Sequence, residues 1–186
     1  MPEYIRNYVP GGTYFFTLVS FDRMPIWREE PVRKFLRVAM NSERQKRHFN
    51  TIAIVLLPDH FHVVWALPRG DSDYSQRLRS IKSEFTEEYL KAGGIEGHRN
   101  RSRRNKNERA VWQRRFWEHT VRDEKDLGRC VDYIHWNPVK HGYVNRVRDW
   151  PHSSFHRFVR EGHYDINWGS SDPTPGYDDP EWGEAV

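Results

Sequence analysis

Two histidines one residue apart, His60 and His62, follow a proline-aspartate turn, and further along Tyr133 and Asn137 stand four residues apart. On an extended strand side chains alternate, so both imidazoles project from one face and Phe61 from the other. Two imidazoles on one rigid strand can chelate a divalent cation; in a chain with ten histidines they also suit a half-solvated sheet face. On a helix Tyr133 and Asn137 lie one above the other, so a phenol can point toward that cation while an amide oxygen supplies a third ligand. A phenolate can attack phosphorus and form a phosphodiester that stores the bond energy for religation, and an adjacent cation polarises the scissile phosphate. The plainer readings are a helix tyrosine with a packed ring and wet hydroxyl, and an asparagine closing a helix before Pro138.

The elements that must position these residues are legible as periodicity. Residues 13–20 (TYFFTLVS) follow a Gly-Gly turn and read as a strand. A helix is predicted from Pro31 to near His48, with Val32, Phe35, Leu36, Val38 and Ala39 at helical spacing. Residues 50–57 and 60–67, separated by Pro58-Asp59, form an antiparallel hairpin. A second helix spans about 74–90, and 111–121 reads as a fourth strand. Asp123 caps a third helix whose buried stripe is Leu127, Cys130, Val131 and Ile134, until Asn137-Pro138 stops it. The order β-α-β-β-α-β-α predicts an α+β, ferredoxin-like antiparallel sheet with helices on one face and an extra helix that carries Tyr133.

With 186 residues and 22.4 kDa the chain fills one core, taken as residues 1–160, followed by an acidic Gly/Pro-rich tail, 161–186, expected to be extended unless its aromatic residues dock. Net charge is +4, yet seven of the 26 acids and none of the 30 basic residues follow Arg160, which leaves residues 1–160 at +11. Such a field attracts phosphates by steering and counterion release. The basic stretch 93–107, GGIEGHRNRSRRNKN, reads as a flexible insertion. The single cysteine excludes an intrachain disulfide framework and multi-cysteine metal sites, and no apolar run approaches a membrane span, so a reducing cytoplasm is the expected compartment.

Several motifs together carry a resemblance: LLPDHFHVVWALPRGDSDYSQRLRSIKSEF, WQRRFWEHTVRDEKD, VDYIHWNPVKHGYV and DWPHSSFHRFV. In this order and spacing they resemble the REP-associated tyrosine transposases, a branch of the HUH single-tyrosine DNA transposases, over most of residues 4–168. The resemblance implies a bacterial, nucleoid-associated enzyme that cuts and rejoins single-stranded DNA at REP palindromes folded into hairpins. By motif it assigns His60 and His62 to the metal pair, Asn137 to the further ligand and Tyr133 to the nucleophile, through a 5′-phosphotyrosine. It also selects Mg²⁺ or Mn²⁺, since two imidazoles by ligand type equally suit Zn²⁺, Ni²⁺ or Co²⁺. The 93–107 insertion is longer than such proteins need.

For phosphate binding the candidates are Lys82, Arg114, Arg115, Lys140 and His141, each of which also suits an ordinary solvated surface. Trp112, Trp117 and Trp136 are candidates for base stacking or for core. Monomeric action is favoured because one chain supplies the histidines and the tyrosine. The alternative is a non-catalytic REP-hairpin-binding regulator on the same fold. An RNA-binding ferredoxin-like domain gains nothing from paired histidines and a helix tyrosine.

Overall fold

Alternating side chains give the sheet two buried faces, each covered by different helices. The computed structural model describes residues 6–169. Strands β1 (Thr13–Val19), β2 (Asn50–Leu56), β3 (His60–Ala66) and β4 (Trp117–Thr120) pair antiparallel in the order β2-β3-β1-β4. The helices are α1 (Glu30–Lys46), α2 (Tyr74–Lys91), α3 (Arg101–Asn105), α4 (Glu124–Lys140) and α5 (Phe155–Arg160). Tyr14, Phe16 and Leu18 of β1 and Phe61, Val63 and Trp65 of β3 share an apolar cluster with Leu36 of α1 and Leu78, Ile81 and Phe85 of α2. The other face, Phe15, Val64, Ala53 and Val55, packs against Cys130, Val131, Tyr133 and Ile134 of α4. At roughly 1.5–3 kcal/mol for each fully buried large apolar side chain, both clusters are major contributors to stability. The ferredoxin-like expectation holds, with the tyrosine helix on the face opposite α1 and α2.

Asp123 caps α4 by accepting from the Asp126 N–H at 2.8 Å, and Asp73 caps α2 by accepting from Gln76 N at 3.0 Å. Residues 152–154 extend the sheet locally. Leu56 N donates to His152 O and Ser154 N to Ile54 O, both at 2.8 Å, along the outer edge of β2.

Three expectations are corrected. The fourth strand is four residues long rather than 111–121, because carbonyls before it are drawn elsewhere. Lys82 Nζ takes Gln113 O at 2.8 Å and Arg103 takes Trp112 O at 3.1 Å, so only an isolated bridge, Ser20 to Trp112, extends the pairing. The tyrosine helix does not stop at Pro138 but runs to Lys140, since burial of Asn137 and Pro138 outweighs the one backbone bond that proline forgoes. Stretch 93–107 is a folded insert rather than a loose loop. Asn100 caps α3, the buried Arg103 also donates to Arg109 O at 2.7 Å, and Glu96 accepts from Ala110 N at 2.7 Å. Gly97 is required there, as a Cβ would lie 2.2 Å from the Phe21 ring. Packing also continues past residue 160, through the aromatic docking that the sequence reading allowed for. Tyr164 hydrogen-bonds Asp132 and packs at a tilt against Trp168, ring centroids 4.6 Å apart. Residues 170–186, with Tyr177 and Trp182, lie outside the described residues.

Candidate active site

The strand register decides what stands beside each histidine. Thr17 of β1 lies opposite His62 and Val19 opposite His60. Thr17 Oγ1 is 2.8 Å from His62 Nδ1, and Asp59 Oδ1 is 2.7 Å from His60 Nδ1, with Arg23 Nη1 on the other Asp59 oxygen at 2.9 Å. Burial alone would raise the Asp59 pKa, but His60 and Arg23 outweigh it and bring it down to about 2. Asp59 is therefore a carboxylate that accepts the His60 Nδ1–H, and in the neutral imidazole this places the lone pair on Nε2. The two imidazole centroids are 5.0 Å apart and both rings are buried.

From the facing helix, Tyr133 brings its ring to 5.3 Å from His62 and 5.8 Å from Phe15. Because α4 continues past Pro138, Lys140 falls two turns on from Tyr133. Its Nζ is 3.4 Å from the phenol oxygen and 4.9 Å from the ring centroid. His141, which caps the helix, stands 5.1 Å from the His60 ring. Tyr133 is wholly enclosed, not at a wet edge.

Whether these residues fit a cation is answered by their buried polar atoms. His60 Nε2 and both amide atoms of Asn137 are buried without a hydrogen-bond partner among the described residues. That cost of roughly 1–3 kcal/mol for each group is relieved by a ligand. By ligand type two imidazoles and an amide oxygen suit a divalent ion, so the set fits by its donor chemistry. A second group, His119, Asp126 and Cys130, has potential ligand atoms within 4.8 Å of one another. Its carboxylate already accepts from His119 Nε2 at 2.9 Å and from Arg122 N at 2.9 Å, while burial and then the Asp126 charge push the Cys130 thiol up.

Of the five phosphate candidates, Lys140 and His141 come to the site and three do not. Lys82 spends its ammonium on Gln113 O, beside the Trp112 ring, and burial lowers its pKa to about 8. Arg114 turns to Glu108, at 2.6 Å, and Ser102; Arg115 is exposed. Trp112 and Trp136 are buried, and Trp117 packs on the α4 cluster. Sequence reasoning missed Thr17 and Asp59 as histidine partners. Asp59 was signalled by adjacency to His60, whereas Thr17 is found only through the register.

No family model matches the chain. A relative from Haemophilus influenzae that bears the name REP-associated tyrosine transposase is 43% identical over 171 residues, covering 92% of this chain and 95% of the relative. The REP-associated tyrosine transposase of Escherichia coli K12 is 43% identical over 168 residues, covering 90% and 91%. A solved structure of a REP-associated tyrosine transposase bound to a REP hairpin superposes with a TM-score of 0.76 at 40% identity, covering 94% of this chain and 96% of that one. With identity at this level across nearly the whole of both proteins, the chain belongs to the REP-associated tyrosine transposases.

Proposed function

We propose that this protein cuts and rejoins single-stranded DNA at REP-type hairpins on the bacterial nucleoid, with Tyr133 as nucleophile and Mg²⁺ or Mn²⁺ held by His60, His62 and Asn137. The observation that carries this reading is the 5.3 Å approach of the Tyr133 and His62 rings, made by a helix and a strand of one chain. When bound, the ion supplies Lewis-acid polarisation of a non-bridging phosphate oxygen. The side chains do the rest. Asp59 and Thr17 fix the two imidazoles, and Phe15 backs the phenol ring. Tyr133 attacks the phosphorus in line, the 3′ oxygen leaves as a free hydroxyl, and a 5′-phosphotyrosine forms. Lys140, at 3.4 Å from the phenol oxygen, balances charge on the attacking oxygen and, in the reverse step, on the departing phenolate. Since one chain contributes both halves, a monomer suffices.

A REP-binding regulator without strand transfer is the second reading, favoured by the complete enclosure of Tyr133. One experiment separates the two. Labelled single-stranded REP-type hairpins incubated with Mn²⁺ should give a covalent adduct that Tyr133→Phe abolishes, with hairpin affinity kept. An undiminished adduct in the variant would falsify the nucleophile assignment, and no adduct in the parent protein, with tight binding, establishes the regulator.

A further inference from the structure

A chain of rings leads away from the histidine pair along the outer edge of the sheet. His141 lies 5.1 Å from His60, Tyr143 5.9 Å from His141, Trp150 5.5 Å from Tyr143 in a stacked arrangement, and His152 5.7 Å from Trp150. Tyr143 is 40% exposed, and His141, Trp150 and His152 are half-buried. The series is rigid because Trp150 Nε1 donates to Leu56 O at 3.1 Å and Leu56 N donates to His152 O. It ends at a cavity of about 300 Å³ between α1 and β2, of which His152 forms part of the wall.

That cavity joins an apolar floor to a cationic rim. Leu36, Met40 and Ile54 line it, together with Arg37 and Arg44. Arg33 is committed to the Trp27 and Arg28 carbonyls, and Arg44 touches Asn41 at 3.2 Å. The exposed Arg37 makes no hydrogen bond among the described residues. Burial, then the charges of Arg33 and Arg37, lowers the His152 pKa, so the arginine field reaches the wall where the rings arrive. Flat apolar space beside guanidinium groups matches a nucleobase with its phosphate, and the rings leading to it match the stacking platforms of single-strand-binding grooves.

We propose that the unpaired strand next to the scissile phosphate runs over His141, Tyr143, Trp150 and His152 and places a base in the cavity, with Arg37 and Arg44 on its phosphates. This rests on the function proposed above and deepens it by naming the path of the substrate. The track accommodates on the order of four nucleotides. Its recognition is of single strands, not duplex, because bases reach the rings only when unpaired.

Binding is measured by fluorescence anisotropy with full-length Tyr133→Phe protein, which cannot cleave. Three probes are used: a REP-type hairpin with an eight-nucleotide flank (5′ or 3′), the same hairpin without a flank, and an unstructured strand. Arg37→Glu and Tyr143→Ser, both at exposed positions, should each weaken binding to a flanked hairpin and to the plain strand by tenfold or more. The flankless hairpin should change by less than twofold. Equal losses on all three probes would show only a general field and overturn the path, as would no loss on any. A protein that binds the plain strand through Arg37 and Tyr143 but shows no preference for the REP hairpin leaves the path standing and overturns the hairpin reading instead. 5-Iodouracil in the flank should photo-cross-link to residues 141–152; cross-links confined to 99–115 also overturn the path.

Discussion

Asp59 Oδ1 stands 2.7 Å from His60 Nδ1, so the residue that makes the hairpin turn also fixes the tautomer of the first imidazole. Partners of this kind tune a metal ligand by orienting it and raising its basicity. Asp59→Asn is expected to lower Mn²⁺ affinity and Mn²⁺-dependent cleavage by about 10–100-fold. Part of the cleavage should return at high Mn²⁺ concentration, because the ligands themselves remain. Calorimetric titration with Mn²⁺ alongside adduct formation checks this; equal Mn²⁺ affinity in the two proteins would count against His60 as a ligand.

Gly128 lies exposed inside α4, and a Cβ there meets nothing within 4 Å. Alanine should stabilise the helix by about 1 kcal/mol through helix propensity and loss of unfolded-state freedom. For a chain of this size that raises Tm by about 2–4 °C. Thermal unfolding of Gly128→Ala, with adduct formation unchanged, is the measurement.

His135 is buried with Nε2 2.8 Å from Ser154 Oγ, and burial, then Arg157, holds its pKa down at about 3. Between that value and the unfolded value of about 6.5, the unfolded chain binds a proton that the folded protein refuses. Stability is therefore complete above about pH 6.5 and declines toward pH 3, by about 1.4 kcal/mol per unit from this residue. His135→Gln removes that decline. The stability gap between parent and variant, read from urea unfolding, should shrink by about 2 kcal/mol between pH 7 and pH 5; a constant gap would show that His135 is not held neutral.

Residues 170–186 contain five acids and no lysine or arginine, against a body of opposite sign. Deleting them, with Tyr164 and Trp168 kept because they pack on the body, should raise single-strand affinity several-fold at low salt. The gain should fade as salt screens the repulsion between acids and phosphates. Anisotropy at two salt concentrations tests this, and no change at either marks the segment as passive.

Much of this architecture is local information. The period-two pattern around His60 and the apolar stripe of α4 placed the histidine pair and Tyr133 on the right elements, since each signal needs only neighbouring residues. What escaped depended on distant partners. The length of β4 is decided by Lys82 and Arg103, on α2 and α3, taking carbonyls that a strand would otherwise share. Continuation of α4 through Pro138 depends on burial of Asn137, which composition does not display. Thr17 meets His62 across 45 residues of chain, through a pairing that no window of sequence contains.

The short run at 152–154 that lies along β2 has a consequence for how copies of the protein behave at high local density. An uncovered outer strand is a template onto which another chain can add its own backbone. Here that template is occupied by the protein's own later segment, and at the opposite side of the sheet β4 offers only four residues. Ribbon-like growth from one copy to the next is thereby disfavoured at both margins, by partial cover on one side and by brevity on the other.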